Sequence, residues 1–331
     1  MGSADPRGDV PAPLVVHVAS GIGSPASGST GAGDFYSALV AQTESFARLT
    51  QGPVGDADEA TQVFVGGRIE TGSLNRLPKL RAIVVPWSGI APSMHRTLEE
   101  AARSDVRILN IHHNAPSAAE TALGLLLAVS RGIPVLDRSL RSGDWRPRYQ
   151  PKPSLRLAGT TATVLGRGAI GGRIARALRA LDMQVRTLGR PERGERWSPK
   201  DLAAAVAGSR VLMLSLPDGP ETEDLVDATV LDAVPGGILI NVGRGSVVDE
   251  SALYDRLLDG RLFGAGMDVW RQVPKDTDAR ASTLPSSLPF HELEQVVMTP
   301  HVGGGLGESG IDLARAASVA AVLESIHHAS A

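Results

Sequence analysis

Residues 163–190 read TVLGRGAIGGRIARALRALDMQVRTLGR. A short apolar run meets glycines at 166, 168 and 171, passes into a helix-like stretch, and ends in a second apolar run closing on Gly189-Arg190. The pattern Gly166-Arg167-Gly168-Ala169-Ile170-Gly171 follows a strand and opens a helix, a context that a chance GxGxxG lacks. Gly166 is expected to make the tight turn, Gly168 to let backbone approach a pyrophosphate, and Gly171 to let helix and strand pack closely. The pyrophosphate would sit on helix N–H groups at the positive end of the dipole.

The end of the second strand decides which dinucleotide. An acid there would accept hydrogen bonds from both ribose hydroxyls and repel a 2′-phosphate. This chain has Gly189 and Arg190, with Arg193 close behind. A guanidinium can grip phosphate bidentately, which favours NADP(H), with NAD(H) as the alternative.

Bulk properties narrow the rest. A length of 331 residues suits two domains. A hydrophobic content of 42% is globular, and 37 glycines with 22 prolines imply many turns. A net charge of −3 gives no basic field for nucleic acid or an anionic membrane. Without cysteine there is no disulfide, thiolate nucleophile or Cys-ligated zinc, and a reducing cytoplasm is compatible. The N-terminal MGSADPRGDVPAP has no apolar signal core, and ALGLLLAVSRGI (122–133) is too short to span a bilayer. A soluble cytoplasmic protein is expected.

Apolar runs alternate with helical patterns along the chain, the signature of α/β architecture with parallel sheets. In the first third the expected strands are 14–18, 62–66, 81–85 and 107–111, with helical stretches at 34–49 and 97–104. The Gly/Ser-rich segment 20–33 reads as a mobile loop. A helix from Pro116-Ser117 is apolar nearly all round and should be buried. From Thr161 the alternation restarts, with runs at 161–165, 184–188, 211–216, 237–242, 264–269 and 296–300, matching a doubly wound sheet. A final helical stretch covers 312–328.

Two stretches in the second half carry chemistry: LINVGRGSVVDE (239–250) and VVMTPHVGGG (296–305). Arg244 and His301 each follow a strand, and strand carboxyl ends face the ligand crevice of an open α/β sheet. Such a pair beside a hydride donor suits reduction of a 2-oxo acid. Arginine clamps the carboxylate and polarises the carbonyl, and the imidazolium delivers the proton. The His112-His113 pair has no third ligand at matching spacing, so no metal is expected, and His327-His328 reads as solvated. No G-x-S-x-G elbow or P-loop occurs.

The chain resembles the D-isomer-specific 2-hydroxyacid dehydrogenases. The matching pieces run in order: AAETALGLLLAVSR, SGDW (142–145), the glycine loop, SLPDGPET (215–222), NVGRGSVVDE, GAGMDVW (264–270) and TPHVGG. The resemblance implies a Rossmann-type doubly wound cofactor domain over 115–305. It also implies a flavodoxin-like catalytic domain made of 1–114 plus 306–331, with a cleft at their junction. Arg244 becomes the substrate-binding arginine and His301 the acid/base; Asp268 becomes the acid near the nicotinamide carboxamide. Pro217 and Thr222 would line the adenosine and pyrophosphate side. Ser88, Gly89 and Ile90, in the loop after the strand RAIVV, would be the backbone-amide cradle for the substrate carboxylate. A homodimer through the cofactor domains and a small 2-oxo or 2-hydroxy acid substrate are implied with it.

One departure stands out. The family's glutamate five residues beyond the aspartate, partner of the catalytic histidine, is here Val273, and Gln272 precedes it. Without that carboxylate His301 should be less protonated at neutral pH. Glu292, Glu294, Asp276 and Asp278 are candidate substitutes. The insert 271–289 should form a surface loop that sets substrate choice, with Arg271 and Lys275 available to an anionic tail. An alternative to the enzyme is a dinucleotide-sensing binding protein on the same fold.

Overall fold

The computed structural model describes residues 12–22, 32–189 and 196–329. It divides into two compact units, Met1–Asn114 with Leu306–Ala331, and Ala115–Gly305.

In the first unit five strands, β1 (Leu14–Ala19), β2 (Ala47–Gly52), β3 (Val63–Val65), β4 (Ala82–Val85) and β5 (Arg107–Asn110), form one sheet in the order β2-β1-β3-β4-β5. All neighbours pair in parallel. Alternate residues feed opposite cores: Val63 and Val65 join Phe35 and Leu323 on one face, while Phe64 and Ile83 join Leu74 and Met94 on the other. Strands covered on both sides read as continuous apolar runs, which is why four of the five are visible in sequence.

The fifth, β2, begins inside the stretch expected to be helical to residue 49 and runs past it to Gly52. The helix Ala32–Thr43 instead stops where the Thr43 hydroxyl turns back to donate to Leu39 O at 2.8 Å. Strand β2 is a sheet edge with only Ala47 buried, so it has no apolar run to announce it. The second expected helix begins five residues early, at Pro92. Most of the Gly/Ser-rich segment 20–33 lies outside the described residues.

In the second unit β6 (Thr161–Leu165), β7 (Gln184–Leu188), β8 (Val211–Leu214), β9 (Ile238–Asn241), β10 (Gly264–Met267) and β11 (Val296–Met298) form a parallel sheet ordered β11-β10-β9-β8-β6-β7. Leu212, Leu214 and Leu239 point to one core; Val211, Met213, Ile238 and Ile240 point to the other. The order of connection reverses at β6, which pairs with β7 on one side and β8 on the other. That reversal opens a crevice at the carboxyl ends, and the glycine loop leaves β6 into it. The helix Ala115–Arg131 packs on this sheet and ends at left-handed Gly132, after which Ile133–Arg141 forms a separate helix. No single described helix is long and apolar enough to cross a membrane.

Candidate functional site

The glycine loop is built by close approaches. Gly166 has φ +114°, and a Cβ there would come within 2.5 Å of the Ser215 hydroxyl; one on Gly171 would come within 1.9 Å of Gly166 O. The loop is tied to the neighbouring strand by Gly166 N donating to Leu188 O at 2.8 Å. Gly168 differs: its backbone is extended, and a Cβ would meet nothing within 4 Å. The space over Gly168 is therefore open, at the start of the helix Ala169–Ala180. The N–H groups of Ala169, Ile170 and Gly171 precede the first intrahelical bond, from Gly172 N to Gly168 O. An open cradle with unpaired amides at a helix N-terminus fits a diphosphate.

Around this loop the other strand tips contribute unequally. Arg190 and Arg193 lie outside the described residues. Arg167 is exposed and lies over Gly189. Pro217 is exposed. Thr222 is only 3% exposed, and its hydroxyl donates to Pro217 O (2.8 Å) and Gly219 O (3.1 Å). It locks the 217–222 turn, so its polar atom is committed to the loop.

Arg244, Asp268 and His301 follow β9, β10 and β11, three adjacent strands. Arg244 sits in extended backbone before a short turn (Gly245–Val247), and its Nη1 donates to Gly243 O at 2.7 Å. The fully buried Asn241 fixes this corner, donating to Arg244 O at 2.9 Å and accepting from Gly243 N at 3.0 Å. Burial pulls the guanidinium's pKa below its ordinary value, and the Asp218 carboxylate opposes that shift. Asp218 is itself held by the Ser246 hydroxyl at 2.7 Å.

Asp268 is 2% exposed and gathers the turn that carries His301. Three successive N–H groups converge on it: His301 N on its carbonyl (2.8 Å), Val302 N on Oδ1 (3.0 Å) and Gly303 N on Oδ2 (3.0 Å). The Thr299 hydroxyl adds a bond to Oδ1 at 2.6 Å. A Cβ on Gly303 would stand 2.7 Å from Oδ2, so this clamp requires glycine there. His301 is held at φ +56°, a left-handed conformation that costs a non-glycine residue about 1–2 kcal/mol. Although His301 keeps an exposed surface, the surrounding protein pushes its pKa below the usual value. Asp268 opposes that shift and Arg244 adds to it.

None of the four acids anticipated as substitutes takes the glutamate's place. Glu294 pairs with Lys152, and Glu292 lies 3.9 Å from His291. Asp276 caps Ala279 N at 2.9 Å, and Asp278 is exposed in the turn Asp278–Ala281. Val273 is 60% exposed. Gln272 belongs to the insert: its N–H donates to Pro285 O at 3.1 Å, and its amide, oriented to satisfy both ends, bridges Leu284 O and Ser287 N at 3.2 Å each. The carboxylate that acts on His301 is Asp268, which the sequence reading assigned to the cofactor alone. The insert is pinned rather than free. Arg271 pairs with Asp224 and donates to Ser246 O and Val248 O (3.0 Å each), so it is not available to a substrate tail. Glu250 accepts from the buried Ser286 hydroxyl at 2.7 Å.

In the first unit the loop after β4 is fixed by two asparagines that the sequence reading missed. Asn110 donates to Ser88 O at 2.6 Å, and the Ser88 hydroxyl donates to Asn114 Oδ1 at 2.5 Å. Gly89 and Ile90 are half-buried beside them. His113, close by in sequence, has both ring nitrogens buried without a hydrogen-bond partner. Burial, helped by Arg315 and His112 and opposed by Asp312, takes its pKa to about 4. Among the described residues no group of three His, Asp or Glu side chains could hold a metal. His327 is half-buried against Phe46, with ring centroids 5.6 Å apart, rather than freely solvated.

Residues 123–303 match the family described as D-isomer specific 2-hydroxyacid dehydrogenase, NAD binding domain. The chain is 32% identical over 207 residues to D-3-phosphoglycerate dehydrogenase of Archaeoglobus fulgidus, covering 60% of this chain and 37% of that one. It is 35% identical over 197 residues to hydroxyphenylpyruvate reductase of Plectranthus scutellarioides, covering 58% of each. The matched stretch thus spans only about a third to three-fifths of these relatives' length. Among solved structures, a D-isomer specific 2-hydroxyacid dehydrogenase from Xanthobacter autotrophicus Py2, in complex with NADPH and MES, shares the fold with TM-score 0.73 at 24% identity, covering 96% of both chains.

Proposed function

Because this chain belongs to the D-isomer specific 2-hydroxyacid dehydrogenase family, we propose that it transfers hydride between NADP(H) and a 2-oxo acid/D-2-hydroxy acid pair. The observation that carries this reading is the row of Arg244, Asp268 and His301 on adjacent strand tips of the sheet whose glycine loop leaves an open diphosphate cradle. The dinucleotide supplies the hydride. Arg244 binds the substrate carboxylate and polarises the carbonyl, and His301 donates the proton that completes the hydroxyl as negative charge develops on oxygen. Asp268 holds the His301 turn and supports the imidazolium. The backbone of Ser88, Gly89 and Ile90 serves the substrate carboxylate in the same reading. NADP(H) is favoured by the arginine at position 190 and the absence of an acid at 189, and the Xanthobacter relative carries NADPH.

A homodimer is part of the proposal. Ile133, Leu136 and Leu140 form one exposed apolar stripe on the helix Ile133–Arg141, with Trp145 and Tyr149 exposed just beyond it. An apolar stripe of this kind is covered most simply by a second copy of the chain.

The test is loss of nicotinamide absorbance when the protein meets NADPH with glyoxylate, hydroxypyruvate, pyruvate or bulkier 2-oxo acids, abolished by His301→Ala. The depressed imidazole and the exposed Val273 favour a second reading, a dinucleotide-sensing binding protein. Tight NADPH binding with no acid turned over would select it.

A further inference from the structure

Strand β7 ends at Leu188, and Gly189 follows it at the place where a dinucleotide-binding sheet reads the adenosine ribose. A Cβ built on Gly189 would stand 2.5 Å from both Nε and Nη2 of Arg167 and 2.9 Å from its Cζ. The guanidinium therefore lies broadside across the tip of β7, in the volume a side chain at 189 would claim. Both sides of this contact are anchored. Gly166 N donates to Leu188 O (2.8 Å), and the Trp197 indole N–H donates to Gly189 O (3.2 Å). Arg167 itself is exposed and takes part in no hydrogen bond or ion pair among the described residues.

An arginine with its donors open, lying where a ribose-binding carboxylate would otherwise project, has a specific chemistry. Its planar fork matches a phosphate dianion, and its charge is permanent. We infer that Arg167 selects the 2′-phosphorylated dinucleotide, gripping the 2′-phosphate from within the glycine loop, and that Gly189 stays without a side chain to admit it. This rests on the reading that NADP(H) is the cofactor. It makes the second residue of the glycine pattern a specificity determinant rather than a spacer.

Binding titrations on the full chain test this without turnover, following nicotinamide fluorescence for NADPH and NADH and displacement by 2′,5′-ADP and 5′-AMP. Losing a hydrogen-bonded charge pair should weaken NADPH and 2′,5′-ADP in Arg167→Leu by about 10–100-fold. NADH and 5′-AMP should change by less than about threefold, because they carry no 2′-phosphate for the guanidinium to grip. Arg167→Lys should recover part of the loss, and Gly189→Asp should swing preference toward NADH. An unchanged NADPH/NADH ratio in Arg167→Leu, or an equal loss for both, overturns the inference. If that happens while the wild type still oxidises NADPH with a 2-oxo acid, the proposed reaction survives and this assignment falls. If the ratio shifts as expected but no acid is reduced, the assignment stands and the reaction falls.

Discussion

Replacing Asp268 by asparagine removes one charge from beneath His301 while keeping the side chain's shape. Two consequences follow from the contacts. The first is local: Oδ2 accepts from Gly303 N, whereas an amide NH₂ in that place would oppose the N–H, leaving a buried donor unpaired at a cost of about 1–3 kcal/mol. A drop of a few degrees in Tm is expected. The second is electrostatic. An opposite charge close to a titrating group shifts it by about 1–3 pKa units. Asp268 already accepts three donors through its carboxylate, so a further fall in the His301 pKa toward the lower end of that range is expected. Burial and Arg244 already hold that pKa below its ordinary value. At pH above both pKa values the imidazolium fraction then falls about tenfold, and reduction, which consumes the imidazolium proton, slows by the same factor. Well below both values the rates converge. Oxidation of the hydroxy acid needs neutral imidazole and should be spared at alkaline pH.

The assays are the pH profile of NADPH-linked reduction, the NADPH dissociation constant, and an NMR titration of the His301 ring assigned with His301→Ala. The NMR arm reads the pKa even if no substrate is found. A His301 pKa unchanged in Asp268→Asn, with rates lowered equally at every pH, would refute the electrostatic argument. A change confined to NADPH affinity would return Asp268 to the cofactor role that family resemblance implies.

Arg244→Gln should lower kcat/KM for any accepted 2-oxo acid by about 100-fold or more while NADPH binding persists, because only the acid meets the lost charge; equal losses in both would refute its substrate role. Leu136→Glu with Leu140→Glu should convert a dimer to monomer in light scattering at micromolar concentration, and an unchanged mass would reject that face as the interface. His113 has a folded pKa of about 4 against 6.5 unfolded. The unfolded chain therefore binds its proton first, and stability is intact above about pH 6.5 and lost as pH falls toward 4. At pH 5 part of that stability is already lost, so His113→Leu should raise Tm relative to wild type at pH 5 more than at pH 7.5; a pH-independent difference would refute this.

What could be read from the sequence, and what could not, follows from how each feature is encoded. Parallel strands covered on both faces write their positions as apolar runs, so Val211–Leu214 and Ile238–Asn241 are legible. The edge strand Ala47–Gly52 has a mostly exposed polar face and borrows its conformation from its pairing with β1, which no local pattern records. The same divide runs through the candidate site. Arg244 and His301 announce themselves because each follows an apolar run directly. The clamp that aims His301 joins residues 31 to 35 positions apart, from Asp268 to Thr299, Val302 and Gly303. Its only trace in the sequence is a glycine at 303 whose necessity appears once the carboxylate is seen 2.7 Å from its missing Cβ. The absence of the glutamate at 273 is legible in the sequence, but nearness in sequence does not identify what compensates for it. Glu292, Glu294, Asp276 and Asp278 are near in sequence, yet those with partners are spent on Lys152, His291 and Ala279. A carboxylate already present in the fold, buried one strand over, is the one whose charge favours the imidazolium. The residue that holds the histidine's backbone turn thus also opposes the burial that lowers its proton affinity, and a change in one should be measurable in the other.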